Sequence, residues 1–158
     1  MGRVKWVVLL IIIALIVYFI IPGRDDSSEI EAVISRVAAS GREKNLNAVM
    51  ENFSLGYKDE YGFSYPMVKG LIENYFEKYD VLDVEVSDID TSFRAEEGGE
   101  KVAEAHVSVY VQGMKAGIPV ALLGTSDAPE RITVTLVKSS VSGWKIKSVG
   151  GINPPDAY

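Results

Sequence analysis

Residues 65–93 read YPMVKGLIENYFEKYDVLDVEVSDIDTSF, and the spacing of the apolar side chains changes partway along. Val68, Leu71, Ile72, Tyr75, Phe76 and Tyr79 recur three and four apart, which is the stripe of one α-helix face. The helix starts near Ser64, with Pro66 in its first turn, where a missing N–H costs nothing. From Val81 the period becomes two: Leu82, Val84 and Val86 alternate with acids and serine, as on a half-buried strand. Asp88 interrupts, and Ile89, Thr91 and Phe93 continue on a shifted phase, which predicts a bulge or bend. A helix that hands over to a long alternating strand, and not to another βα unit, decides the fold class.

Upstream, Asp26-Ser27-Ser28 followed by Glu29 and Glu31 reads as a helix start, because short oxygen side chains cap free N–H groups and acids suit the positive dipole end. Ile30, Val33, Ile34, Val37 and Ala38 form its stripe, and Gly41 loosens or ends it. Leu46, Val49, Met50 and Phe53 mark a shorter second helix, and Ser54 to Gly62 is a loop. Downstream, Glu96 to Glu100 is a turn. Val102 to Gln112 alternates, with Ala103, Ala105, Val107, Val109 and Val111 on one face and Glu104, His106, Ser108, Tyr110 and Gln112 on the other. A loop is expected over Gly113 to Pro129, then strands at Ile132–Lys138 and Trp144–Val149 around a turn at Ser140–Gly143. Three helices followed by hairpin-linked strands indicate an α+β fold with a mostly antiparallel sheet. Rossmann and barrel enzymes are disfavoured.

The amino terminus has a different character. Trp6 to Ile21 is unbroken apolar sequence, and with Val4 and a snorkelling Lys5 it reaches the lower limit for a bilayer-spanning helix. Trp6 and Tyr18 suit the two interfaces, and Pro22-Gly23 stops the helix. The run exceeds a cleavable signal core and no small-x-small site follows, so residues 4–22 are expected to be an uncleaved transmembrane anchor in the lipid bilayer. Arg3 and Lys5 keep the amino terminus cytoplasmic by the positive-inside rule, with a periplasmic or extracellular domain beyond a single pass of the cell (inner) membrane. The expected division is 1–24 anchor, 25–150 domain and 151–158 loose tail.

Charge and composition exclude several chemistries. The chain carries −6 overall and +3 in residues 1–24, which leaves −9 on the rest. Such a domain is repelled by nucleic acid phosphates and anionic headgroups, so nucleic acid is not an expected partner. With no cysteine there is no disulfide, thiolate metal site or cysteine nucleophile. No phosphate loop, nucleophile elbow or H-E-x-x-H is present, and neither a cofactor nor a metal is expected. Asp88 and Asp90 lack the further ligands a cation needs. Asn52-Phe53-Ser54 matches a glycosylation acceptor, at a helix end and by a motif that is common by chance.

Three local patterns carry a family resemblance. They are Ser54-x-x-Tyr57-x-Asp59-x-x-Gly62, the passage from Tyr75-Phe76 into Val84-x-Val86, and Trp144-Lys145-Ile146 after a short turn. With the order of elements, they make residues 27–150 resemble the nuclear transport factor 2-like superfamily. The resemblance implies a cone, three helices wrapped by a bent sheet with a pocket at one end, on a scaffold shared by isomerases, dehydratases, binding domains and assembly domains. It makes Tyr57, Asp59, Tyr61 and Phe63 the candidate pocket. A Tyr hydroxyl there could donate to an oxyanion and a shielded Asp abstract a proton, but Tyr57 packing under the loop and Asp59 capping a turn or the third helix is the commoner arrangement. The resemblance also implies that Glu104, His106, Ser108 and Tyr110 form a homodimer interface on the convex face; His106, the sole histidine, is a pocket base only if the faces are reversed. The expected function is non-catalytic binding of a partner protein or small apolar ligand by an anchored exported domain. The alternatives are an isomerase or hydrolyase using Tyr57 and Asp59, and an assembly component of an envelope or secretion complex.

Overall fold

In a computed structural model the residues described are 25–95 and 100–152. The anchor expected over residues 4–22, the turn over 96–99 and the tail beyond Ile152 lie outside them. Among the described residues no helix is long and apolar enough to cross a membrane.

The apolar stripe of α1 (Asp26–Arg42) buries Ile30, Val33, Ile34 and Ala38. Asp26 and Glu29 in its first turn and Arg42 in its last complement the helix dipole. The short α2 (Leu46–Met50) is capped by Asn45, whose side chain accepts from the Ala48 N–H at 3.1 Å. In α3 (Tyr65–Lys78) the proline lies in the first turn as expected, yet Val68 is the only buried residue. Ile72 and Phe76 of the stripe pack partly buried against the core, while Leu71 is 42% exposed and faces outward.

The strands are β1 (Val81–Ala95), β2 (Lys101–Lys115), β3 (Ile118–Leu123), β4 (Glu130–Ser139) and β5 (Gly143–Gly150). They form one antiparallel sheet in the order β1-β2-β4-β5, with β3 also on β2. β2 is the spine: β4 pairs with Val102–Val109 and β3 with Val111–Lys115 on the same side. The phase change in β1 is a bulge. Register shifts between Ser87 and Asp90, and Asp88 takes φ 49°, a left-handed conformation that Asp tolerates better than most residues.

One expectation needs correcting. The stretch Gly113 to Pro129 is not all loop: β2 continues to Lys115 and β3 returns along it. The reversal is a two-residue turn, Ala116-Gly117, with φ of 50° and 77°. Hairpin turns of that kind need positive φ at both positions and usually announce themselves as Asn-Gly or Asp-Gly. Here alanine fills the first position, and the Asp80 carboxylate accepts the Ala116 N–H at 2.8 Å and holds it there.

Ala103, Ala105, Val107 and Val109 of β2, with Ile132, Val134, Leu136, Trp144 and Ile146, pack against the α1 stripe. Ile30, Val102, Val107 and Leu136 are fully buried, each contributing about 2 kcal/mol from lost water contact. α1 runs along β1 in the opposite direction. Asp26 sits by Lys101 at the start of β2, and Arg42 donates to the Val84 carbonyl near the other end. At that other end Tyr79 lies on Gly113, so closely that a Cβ there would be 2.5 Å from the Tyr79 ring.

Candidate functional site

The loop from Ser54 to Ser64 brings the four candidate pocket residues together, but as a knot of mutual contacts. The Tyr57 hydroxyl donates to Asp59 Oδ2 at 3.1 Å. Asp59 Oδ1 accepts the Tyr61 N–H at 3.0 Å and the Phe63 N–H at 2.8 Å. Both carboxylate oxygens are therefore engaged inside the loop, in the geometry of an aspartate that stabilises a turn. Tyr57 is buried against Phe53, with ring centroids 5.4 Å apart. Burial, reinforced by the neighbouring Asp59 charge, pushes its hydroxyl well above the ordinary tyrosine range, against the Val149 backbone, which pulls the other way. A phenol so placed stays protonated.

The same loop is fastened to β5. Ser54 N–H donates to the Ile146 carbonyl at 2.8 Å, Ile146 N–H to the Asn52 carbonyl at 2.8 Å, and Lys58 N–H to the Lys147 carbonyl at 3.1 Å. Glu60 accepts the Gly151 N–H at 2.8 Å, and the Tyr61 hydroxyl donates to the Ile152 carbonyl. Asn52 is buried, bonded to the Ala48 carbonyl and, through Oδ1, to Arg36 Nε at 3.4 Å, which closes it to a glycan.

His106 stands on the sheet face opposite the buried alanines, as alternation predicts, within 3.1 Å of Thr133 Oγ1 on β4. Its neighbours on that face are partly engaged: Glu104 pairs with Arg94 at 3.2 Å, and Ser108 is buried within the chain. His106 and Asp59 thus belong to separate regions, one on β2 and one in the loop.

Two features at opposite ends of the domain were not foreseen. At the Lys101 end the Asp26 carboxylate takes donors from three strands: Lys101 Nζ at 3.1 Å, Trp144 Nε1 at 3.2 Å and Lys138 Nζ. Lys138 also pairs with Glu29 at 3.3 Å and lies over the Trp144 ring. Hydrogen bonding from Lys138, opposed by partial burial and supported by Lys101 and Trp144, holds the Asp26 pKa down at about 2. Next to it opens a cleft of about 710 Å³ lined by Ser54, Gly56, Glu100, Lys101, Val137, Lys138, Ser139, Ser140 and Lys147. At the other end a shallow groove of about 550 Å³ runs beside α3, lined by Leu71, Asn74, Tyr75, Glu77 and Lys78. Tyr75 stacks on Tyr79 at 6.0 Å. Tyr79 covers Gly113, whose partner on β3 is Val120. Ile118 and Val120 of β3 are also exposed. On the β3 side the sequence sign was a six-residue apolar run, IPVALL, inside the stretch expected to be a loop.

No family model matches the sequence, and no curated protein matches it. Solved structures do. One is a nuclear transport factor 2-like superfamily protein from Salmonella enterica serovar Typhimurium, at 14% identity and TM-score 0.58, covering 84% of this chain and 94% of that one. The fold is nuclear transport factor 2-like. A second such protein, from Novosphingobium aromaticivorans and described as having a cystatin-like fold, agrees at 15% identity and TM-score 0.55, with 84% of each chain covered. The helical cell shape determining protein Pgp2 of Campylobacter jejuni is similar over 75% of this chain, at 11% identity and TM-score 0.51, and this chain spans 38% of its length. Likenesses at this identity establish the architecture and select no activity.

Proposed function

We propose that this chain is a membrane-anchored, exported binding domain that does no chemistry of its own. It takes an apolar ligand, or an apolar segment of a partner protein, at the α3–β3 end. The observation that carries the reading is a division of labour. The acid and phenol that an isomerase or hydrolyase would need are spent on the loop, with both Asp59 oxygens occupied. Met67, Leu71, Ile118 and Val120 meanwhile stay exposed, and Leu71 lines the groove beside α3. The anchored location rests on the apolar run of residues 6–21 and the charges that flank it.

The test is native mass spectrometry of the full chain extracted from its own membranes, compared with the denatured mass. Added mass that disappears on denaturation, and is absent from Leu71→Asp and Ile118→Asp variants, supports the site. Added mass that survives those changes but is lost in Asp59→Asn places the ligand at the loop and sinks the proposal.

A further inference from the structure

The structure also assigns a second site, at the other end of the domain, and this inference rests on the anchored reading above. We propose that the cleft bounded by Lys101, Lys138 and Lys147 seats the phosphate of an anionic lipid headgroup from the bilayer that carries the anchor.

Chain length forces the proximity. Four peptide steps separate Pro22 from Asp26, at most about 14 Å when fully extended. The headgroup layer itself is about 6 Å deep on each side of the hydrocarbon. Asp26 touches Lys101 and Lys138 directly, so the tether keeps both ammonium groups close to the headgroup layer. The α3–β3 end lies far off: β2 covers about 46 Å of strand between Lys101 and Lys115.

The cleft has suitable chemistry. Three lysines and one acid, Glu100, line it, with the Asp26 and Glu29 carboxylates paired to two of the lysines, in a domain whose net charge is −9. Each ammonium carries three N–H donors. Asp26 takes one from Lys101, and Asp26 and Glu29 take two from Lys138, so N–H donors of these two lysines remain for phosphate oxygens. The ion pairs also hold the two lysine heads in place, which lowers the ordering cost of binding a ligand.

Net charge argues the other way and loses. A free domain of charge −9 would be pushed from an anionic surface, but that repulsion is screened beyond about 8 Å at physiological salt. The acids of β1 near its start, such as Asp83 and Glu85, pair with Gln112 and Tyr110, toward the distal end of β2. The tether supplies the proximity that long-range attraction would otherwise have to provide.

The absence of cysteine allows a single probe to be placed at will. Val141 is 94% exposed and lies one residue past the cleft, so Val141→Cys in the full chain carries a nitroxide without filling the site. In nanodiscs of mixed phosphatidylglycerol and phosphatidylcholine, the nitroxide relaxes the ³¹P signals of nearby lipids. The expected result is a preference for the anionic phosphorus of roughly fivefold, the size of one lysine at a membrane surface. The preference disappears in Lys101→Gln/Lys147→Gln. Equal relaxation of the two lipids in the otherwise native chain would overturn the site. So would loss of the preference on adding inorganic phosphate, which would make the cleft a free-phosphate site. If the anchor reading itself is wrong, the chain does not co-purify with the discs and neither phosphorus is relaxed.

Discussion

The two ends of β2 are built by the same alternation and finished in opposite ways. At Lys101, the first turn of α1 reaches over the sheet, and one carboxylate ties β2, β4 and β5 together beside a buried tryptophan. At Lys115, α3 buries one residue of its own length, and one tyrosine ring closes on a glycine while its neighbours stay exposed. The first arrangement resists opening, because each contact is cross-linked by another from a different strand. The second leaves apolar surface uncovered, which is unfavourable in water unless something else covers it. A small domain can therefore place its cross-linked contacts at one end and leave apolar side chains exposed at the other.

The sharpest way to break this contrast is to remove the tryptophan. Trp144 is buried, packs against Phe93 with centroids 6.1 Å apart and donates to Asp26. Trp144→Ala is expected to cost about 4 kcal/mol in urea unfolding, from lost burial plus the cavity left behind. A loss below about 1 kcal/mol would mean that the Lys101 end is not the firm one. At the other end, Gly113→Ala forces the Tyr79 ring away and is expected to cost about 2 kcal/mol. A crystal structure of that variant would show Tyr79 swung out and the groove beside α3 reshaped.

Asp26 comes next in size. Asp26→Asn keeps the shape and removes the charge, with an expected cost of about 1 kcal/mol, limited because the side chain is 22% exposed and its pairs are partly screened. The pH dependence is the more telling readout. The folded pKa lies near 2 and the ordinary value is 3.8, so the folded state binds this proton less tightly. The stabilisation is complete above the ordinary value and is lost as pH falls from about 4 through about 2. Unfolding midpoints measured between pH 5 and 2 are expected to fall less steeply in Asp26→Asn; parallel slopes would show that other carboxylates dominate. Gly70 gives an effect of opposite sign. It lies in α3, exposed, with open space where a Cβ would go, so Gly70→Ala is expected to stabilise by about 0.8 kcal/mol from helix propensity alone.

Much of the fold was legible because it is written in periods. The switch from helix to strand at Tyr79–Val81, the bulge at Asp88 and the inward row Ala103 to Val109 each leave a phase in the sequence, and each stands where that phase puts it. β3 was lost because its turn uses alanine where the usual signal is asparagine or aspartate, and the residue that holds that alanine, Asp80, lies 36 positions away. Asp26 was read as a helix-start residue and does open α1, but its side chain is also engaged far from the helix. Its carboxylate bonds to residues 75, 112 and 118 positions distant, and pairings of that kind leave no local pattern. The loop residues show the converse. Tyr57 and Asp59 were read as a candidate pocket pair and do meet, but whether a carboxylate faces a ligand or two backbone N–H groups depends on where the loop folds back, and composition does not encode that.

The smallest effect on stability is expected where the largest effect on binding should appear. Leu71 and Ile118 are 42% and 65% exposed, so Leu71→Asn and Ile118→Asn remove little buried surface and should shift unfolding by less than about 0.5 kcal/mol each. If the α3–β3 end were merely the loose periphery of a core, the two changes would be silent in every assay. If it is a recognition surface, each should weaken retention of the bound apolar molecule by about tenfold, as a residue carrying part of a binding hot spot does. Stability and retention measured on the same samples separate the two cases. A variant that loses both has damaged the fold, one that loses neither lies outside the site, and only loss of retention at unchanged stability marks a surface kept exposed for a partner.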